Sequence, residues 1–190
     1  MNYRMDYEEF DIRVIDNFLP QDCFDSMWEF ISSKDFIWNK GLIISSKETP
    51  FFDVCDEKYN FQFYHEFYGY NEALSDVFKP IVVPFIEVIC GVGKVNHNMD
   101  PVRSLIRAKI NFNPCADKII EHSLHTDVSH LGSTTAVFYF NTNNGYTMFE
   151  DGTKIESVAN RFIMFPCHLK HTGTTCTDQQ GRYVMNINYF

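Results

Sequence analysis

The sequence predicts a mainly β fold in which N-terminal helices pack on a C-terminal antiparallel jelly roll. From Ser104 onward the chain consists of short alternating or aromatic runs separated by Asn-Gly, Asp-Gly and Gly-Arg turn signals. The aromatic fraction is 16%, with 19 Phe and 10 Tyr, and such side chains suit the half-buried surface of a strand. No helical pattern interrupts these runs, which favours an antiparallel sandwich or barrel over a parallel sheet.

The N-terminal part predicts a layer of strands and helices. Residues 11–18 alternate in hydrophobicity, which predicts a first strand, and residues 19–33 predict a helix. The apolar residues at helical spacing in that second segment are Phe24, Met27, Trp28 and Ile31. A second helical region is predicted over residues 72–90, and Pro80 and Pro84 must bend or divide it.

The C-terminal part predicts at least six strands. They correspond to the runs LIRAKINFN, TTAVFYFNT, YTMFE, KIESV, NRFIMF and RYVMNINYF. With 190 residues, 45% of them apolar, the chain is long enough for one substantial core. We therefore expect a single domain over residues 1–190, with a lead-in over 1–103 and a jelly-roll core over 104–190.

Net charge disfavours some classes of partner, and cysteine usage predicts the compartment. A net charge of −9 disfavours binding to nucleic acid or to an anionic membrane surface, and the one stretch with a basic bias, residues 103–109, is interpreted as a strand that enters the core. The six cysteines form no CxxC pair, and the N-terminus shows no signal-peptide pattern, so a reducing cytoplasm is expected. No apolar run is long enough to span a bilayer. The oligomeric state is left open, with a homodimer among the options.

A candidate metal site begins with His125 and Asp127, which form an HxD pair. In extended chain, residues i and i+2 project from the same face, so an imidazole and a carboxylate can reach one ion. His171, which follows the NRFIMF run, can supply a second imidazole. Two His and one carboxylate on one face of an octahedron leave three positions open, as in non-haem Fe(II) oxygenases.

Two other histidines compete for these roles. His122 with His125 and Asp127 could form a zinc site with an open water position, as in a hydrolase. An HxxH pair in extended chain places its two rings on opposite faces, which disfavours that alternative. His168 competes with His171, and His171 is preferred as the histidine on the strand that follows the Phe-Pro turn. We expect His122 and His168 to be exposed or to support the site indirectly.

Arg182 is the candidate anion-binding residue. In RYVMNINYF the alternation puts Arg182 on a partly polar face with Val184, Asn186 and Asn188, which predicts that it points into the barrel. A guanidinium holds a carboxylate through two parallel charge-assisted hydrogen bonds. The distal carboxylate of 2-oxoglutarate would suit it, whereas the alternative interpretation is a salt bridge at a sheet edge.

The same blocks carry a family resemblance. KINFN, HTD, FYFNTNNGYTMFEDG, NRFIMFP, HTG and RYVMNINYF resemble the motifs of the 2-oxoglutarate/Fe(II) oxygenase superfamily, and within it the prolyl-4-hydroxylase-like branch found in marine phage and bacterial genomes. The resemblance covers residues 104–190 and, more loosely, VIDNFLP. It implies a double-stranded β-helix, a cupin-like jelly roll, with Fe(II), 2-oxoglutarate and O2 as cofactors. It also implies that His125, Asp127 and His171 are the metal ligands.

The resemblance further implies a set of cosubstrate contacts. By position they are Arg182, Tyr139, Asn111, Asn113 and Thr147. The Tyr139 hydroxyl matches a family tyrosine that joins the arginine at the tail of 2-oxoglutarate. Many relatives have Ser two residues after the arginine, whereas this chain has Val184. The second donor to the tail carboxylate must then come from Tyr139 or Thr147.

The implied reaction is hydroxylation of a C–H in a peptidyl substrate, prolyl included, or in a small molecule, with release of succinate and CO2. A carboxylate at Asp127 favours hydroxylation over halogenation. The rivals are a cupin-type isomerase or non-catalytic metal-binding jelly roll, which would have no use for Arg182, and an inactive relative. The aromatic segment 51–70 either packs or lines a substrate entrance, and the loops over 36–70 and 128–134 are expected to set selectivity.

Overall fold

The structure, a computed structural model, describes residues 12–43, 60–92 and 95–190. In chain order the elements are β1 (Arg13–Ile15), α1 (Gln21–Ile31), β2 (Asn39–Gly41), β3 (Gln62–Gly69), β4 (Glu72–Ala73), α2 (Phe78–Ile89), β5 (Leu105–Pro114), β6 (Thr134–Tyr139), β7 (Tyr146–Phe149), β8 (Lys154–Glu156), β9 (Arg161–Pro166), β10 (His171–Gly173) and β11 (Gly181–Tyr189). Neither of these helices is long and apolar enough to cross a membrane.

The strands form two antiparallel sheets. The larger sheet has eight strands in the order β1-β9-β6-β11-β5-β3-β2, with β4 paired to β3, and the smaller has the order β10-β7-β8. Each of the six predicted C-terminal runs contains a strand. Strands that follow one another in sequence are separated in space, as in a jelly roll. β11 lies between β5 and β6 in the larger sheet, and β7 belongs to the smaller sheet. The predicted mainly β fold with N-terminal helices is thus confirmed.

The N-terminal part contributes more strand than predicted. β1 pairs with β9 and β3 pairs with β5, so strands from before residue 104 belong to the same larger sheet as the C-terminal strands. The predicted helix over residues 72–90 begins only at Phe78. Its first residues instead form β4, because Tyr70 and Asn71 take φ values of 52° and 64° and close a hairpin. Two consecutive positive φ angles are typical of a type I′ turn, and Tyr is not among the residues that signal one.

The structure describes only residues 60–70 of the aromatic segment 51–70. Residues 51–59 lie outside the described residues, and so do residues 44–50 of the region 36–70 that is expected to set selectivity. Residues 62–69 form β3, where Phe67 is fully buried and Phe63 stacks on Phe112 with ring centroids 6.0 Å apart. The described aromatic residues of the segment therefore pack, apart from Tyr70, which is 91% exposed, and Gln62 faces the cavity described below.

The main core lies between the two helices and the outer face of the larger sheet. Phe18 stacks on Phe162 with centroids 4.1 Å apart, and Phe85 of α2 meets Phe138 of β6 edge-on at 4.8 Å. Burying a Phe side chain contributes about 1.5–3 kcal/mol. A second cluster, made by Val137, Tyr139, Phe149, Ile163, Phe165 and Val184, lies between the sheets. It fills one part of the barrel interior and leaves the rest to polar side chains.

Asn160 joins the N-terminal segment to the start of β9. Its φ is 59°, and its side chain accepts a hydrogen bond from the Leu19 N–H and donates one to the Leu19 carbonyl, both at 2.9 Å. Both residues are buried. We expect Asn160→Ala to lower the free energy of unfolding by about 1–3 kcal/mol, because two buried backbone groups lose their partners. Urea unfolding measures the change.

Asn98→Ala is the matched control for this prediction. Asn98 also has a positive φ, 52°, but it is exposed. The control therefore reports the backbone cost of replacing Asn in the left-handed region without loss of buried hydrogen bonds. Equal effects of the two substitutions would contradict a bridging role for Asn160.

Candidate active site

A cavity of about 540 Å³ opens inside the barrel. Its walls are the inward faces of β5 and β11, the segment over residues 122–127 and β10. The polar faces of β5 and β11 are in register, with Arg182 opposite Asn113, Val184 opposite Asn111 and Asn186 opposite Lys109. The size is ordinary for a small-molecule site, but the lining is far more polar than usual.

The residues predicted as metal ligands meet in this cavity. Their donor atoms, on His125, Asp127 and His171, all lie within 4.8 Å of one another. A backbone bridge joins the two ligand segments, because the His125 N–H donates to the His171 carbonyl at 2.9 Å and the reverse bond is 3.0 Å. Two positions far apart in sequence are thereby held in register.

The donor set fits a divalent transition metal. The Nδ1 atom of His125 lies 3.1 Å from the Ser123 carbonyl, and that of His171 lies 3.2 Å from the Leu169 carbonyl. An imidazole that donates Nδ1–H to a carbonyl presents the Nε2 lone pair to a metal. These Nε2 atoms lie 3.7 and 4.0 Å from the Asp127 carboxylate oxygens. Donors about 2.1 Å from one ion are about 3 Å apart when adjacent, so small side-chain rotations complete the site.

Asp127 is held in its charged form. Its side chain is 4% exposed, and burial alone would raise the pKa of the carboxyl group. Interaction with the nearby His125 ring and the positive charge of Arg107, 3.7 Å away, outweigh burial and lower the pKa well below its usual range. Asn186 also donates a hydrogen bond of 2.9 Å to Oδ2. The carboxylate is therefore oriented and ionised without a metal.

The two competing histidines take different positions. His168 is exposed, whereas His122 is 6% exposed and lines the cavity. His122 is not part of the group formed by the three predicted ligands. Burial, together with the nearby charge of Arg182, lowers the pKa of His122 to about 4. The ring is therefore neutral at physiological pH.

This depressed pKa predicts a pH-dependent stability. The folded pKa of His122, about 4, lies below the reference value of 6.5, so the unfolded state binds the proton more readily. Its contribution to stability is fully present above about pH 6.5 and is lost as the pH falls to about 4, by about 3 kcal/mol in total. Urea unfolding of the metal-free protein between pH 7.5 and 4 measures it. His122→Gln should flatten the profile, whereas exposed His168→Gln should not; parallel profiles for parent and His122→Gln would refute the assignment.

Arg182 is buried and lacks an acidic partner. It is 2% exposed, on the central strand β11, and no carboxylate of the described residues forms an ion pair with it. Its Nε donates to the Ser157 hydroxyl at 2.7 Å and its Nη2 to the Thr147 hydroxyl at 3.0 Å. A Cβ at Gly173, two residues after His171, would lie 3.0 Å from Nη1. The alternative of a sheet-edge salt bridge does not describe this residue.

The other predicted cosubstrate residues surround Arg182 in two layers. Thr147 lines the cavity, and its hydroxyl accepts from both Arg182 and, at 2.8 Å, Tyr139. Tyr139 is fully buried behind it, with its ring centroid 5.3 Å from the guanidinium carbon. Asn111 and Asn113 line the cavity, and their buried Oδ1 atoms have no hydrogen-bond partner among the described residues. Unpartnered polar atoms beside a cavity indicate a polar ligand.

Two functional candidates were missed from sequence. Arg107 and Lys109, in the stretch interpreted as a strand that enters the core, face the cavity. The signal was present in LIRAKINFN, because its alternation puts both residues on the face of Asn111 and Asn113. Asn111 and Asn113 were placed at the cosubstrate from sequence, but that placement was not extended to Arg107 and Lys109.

Comparison with protein-family models and with curated protein sequences finds no match. Comparison with solved structures finds many matches, among them the following three. A 2OG-Fe(II) oxygenase family oxidoreductase from Burkholderia pseudomallei has a TM-score of 0.64 at 8% identity, covering 94% of this chain and 84% of that chain. A Trichoplax adhaerens prolyl hydroxylase, in complex with a peptide fragment of the hypoxia inducible factor oxygen degradation domain, has a TM-score of 0.61 at 13% identity, covering 94% and 83%. HygX from Streptomyces hygroscopicus, with nickel and 2-oxoglutarate bound, has a TM-score of 0.51 at 10% identity, covering 94% and 82%.

These likenesses define the fold class. The chain has the double-stranded β-helix fold found in 2-oxoglutarate/Fe(II) oxygenases, including prolyl hydroxylases. This agrees with the fold that the sequence motifs imply. What the cavity does is argued from its own residues below.

Proposed function

We propose that the protein is an Fe(II)- and 2-oxoglutarate-dependent dioxygenase that hydroxylates a C–H bond. His125, Asp127 and His171 hold the metal, and Arg182 holds the distal carboxylate of 2-oxoglutarate. The observation that carries the proposal is Arg182, a buried cation without an acidic partner among the described residues, in the same cavity as the three metal-ligand side chains. A buried charge is costly unless an opposite charge joins it, so the cavity is built for an anion.

The chain's own residues define how the cosubstrate is held. Arg182 presents donors to the tail carboxylate, and Gly173 leaves space beside them. Thr147 already accepts two hydrogen bonds, so its hydroxyl proton is free to be donated into the cavity. Thr147 thus takes the role that Ser has in many relatives, and Tyr139 orients Thr147 from behind.

Bound Fe(II) would activate O2, so that one oxygen atom oxidises 2-oxoglutarate to succinate and CO2 and the other hydroxylates the substrate. The protein's contribution is orientation and exclusion of water. Carbonyl groups and Asn186 fix the directions of the three ligands. The apolar cluster around Val137 and Val184 closes the barrel interior beside the cavity.

The rival functions fit the cavity less well. A cupin-type isomerase or binding module would need the metal site but not the buried Arg182. A zinc hydrolase built on His122 would need that ring beside the other ligands, and it lies outside their group. A carboxylate ligand at Asp127 favours hydroxylation over halogenation, because it occupies the coordination position that a halide would need.

The substrate class is a peptidyl side chain, prolyl included, or a small molecule. The Trichoplax neighbour was solved with a peptide, which supports the first option. The test is succinate formation from 2-oxoglutarate under Fe(II) and O2, screened against prolyl peptides and against small-molecule pools. Substrate-stimulated succinate supports the proposal. If the parent protein binds neither Fe(II) nor 2-oxoglutarate, the proposed function is wrong.

A further inference from the structure

The cavity carries more positive charge than the proposed cosubstrate requires. Besides Arg182, three cationic side chains line it: Arg107, Lys109 and Lys170. Lys170 is neutralised by Glu150, 3.0 Å away at the exposed rim. Arg107 and Lys109 are left on the inward face of β5, in a chain whose net charge is −9. A local positive field inside an acidic protein indicates that the cavity prefers an anionic ligand.

Arg107 lacks a complete partner. Its nearest carboxylate is Asp127 at 3.7 Å, and its Nε is buried without a hydrogen-bond partner among the described residues. When a divalent metal binds Asp127, the carboxylate charge is shared with the metal. Arg107 then faces a centre that no longer neutralises it. A second anion beside the metal would restore the balance.

Lys109 is in a similar position. It is half-buried, its Nζ lies 4.5 Å from the centroid of the Tyr64 ring, and no described carboxylate forms an ion pair with it. Burial, with the charge of Arg107, lowers the pKa of its ammonium group against the opposing effect of the Glu66 and Asp127 charges. Residues two apart on a strand project from the same face about 6.6 Å apart, so both cations can reach one anionic group.

We propose that Arg107 and Lys109 bind an oxyanion group of the substrate, a carboxylate or a phosphate, so that the substrate is an anionic molecule. The inference rests on the proposed function, in which Arg182 is already occupied by the cosubstrate. Because Arg107 contacts a metal-ligand side chain, the anionic group lies close to the metal. The C–H that is oxidised is then only a few bonds from that group.

The binding test uses Zn(II)-loaded protein saturated with 2-oxoglutarate. Saturation-transfer NMR is recorded on the methyl signals of acetate, methylphosphonate and neutral acetamide. We expect the signals of acetate or methylphosphonate to be at least about threefold above that of acetamide. Arg107→Gln and Lys109→Gln should each reduce the anion signal at least about threefold, and the double variant should abolish it. Exposed Lys79→Gln on α2 is the control and should match the parent. The stronger anion tells a carboxylate from a phosphate substrate.

Two outcomes overturn the inference. One is an acetamide signal equal to the anion signals, or a double variant that keeps the parent's signal. The other is a loss of about tenfold or more in 2-oxoglutarate affinity for Arg107→Gln, which would assign Arg107 to the cosubstrate. We expect that affinity to stay within about twofold.

The same titration separates this inference from the proposed function. If the Zn(II)-loaded parent does not bind 2-oxoglutarate, the dioxygenase proposal fails. The probes are then measured in Arg182→Gln, with and without the added substitutions Arg107→Gln and Lys109→Gln. Loss of the anion signal on adding them still supports an anion site, and retention of the signal refutes it. In the succinate assay, acids should stimulate turnover at least about tenfold more than their amides.

Discussion

Arg182→Ala is expected to weaken 2-oxoglutarate binding by a factor on the order of 30 to several thousand. Removing one member of a desolvated charge pair costs about 2–5 kcal/mol, at about 1.4 kcal/mol per tenfold. Arg182→Lys should recover only part of the affinity, because an ammonium cannot reproduce the guanidinium fork. Calorimetric titration of 2-oxoglutarate into the metal-loaded protein measures both effects.

The control for this prediction has two parts. Fe(II) affinity without 2-oxoglutarate should change little, since Arg182 contacts Ser157 and Thr147 rather than the three metal-ligand side chains. Arg103→Ala removes an exposed arginine outside the cavity and should leave 2-oxoglutarate affinity unchanged. If Arg182→Ala bound 2-oxoglutarate as well as the parent, the case for this chemistry over a generic metal-binding jelly roll would be lost.

Asp127→Ala and His171→Ala are each expected to reduce Fe(II) affinity by more than about 100-fold. Changing an outer-shell partner typically costs about 10–100-fold, and loss of a ligand itself should cost more. Anaerobic Fe(II) titration, followed through the weak visible charge-transfer band that forms with 2-oxoglutarate, measures the loss. Asp127→Ala also leaves Arg107 without its nearest carboxylate, so an unfolding measurement is needed beside it.

His168→Ala is the matched control for the distal ligand. His168 lies three residues before His171 but is exposed, whereas His171 is 3% exposed and faces the other ligands. The control should bind Fe(II) as the parent does. Loss of binding in His168→Ala with retention in His171→Ala would reverse the assignment.

Local pattern was enough to predict most of the fold. The alternating runs and turn signals located the C-terminal strands, and the helical spacing located α1. The hairpin at Tyr70 and Asn71 was missed, because Tyr-Asn is not one of the residue pairs that usually signal a type I′ turn. The participation of β1 and β3 in the larger sheet was missed as well, since strand partners are chosen by contacts distant in sequence.

The candidate site was predicted unevenly. His125, Asp127, His171 and Arg182 were named from spacing and alternation, and the structure brings all four to one cavity. Thr147 and Tyr139 were left as alternatives for one role. The structure separates them, because only Thr147 reaches the cavity while Tyr139 supports it from behind.

By itself the sequence determined which side chains share a face. A strand alternates with period two, so Arg107 goes with Lys109, and Arg182 with Asn186, in any structure where these runs are strands. Only the tertiary structure decided what the inward faces meet: the bridge between His125 and His171, the burial of His122, and the approach of Arg107 to Asp127. The physical reason is that alternation is local, whereas register and burial follow from packing between segments far apart in the chain.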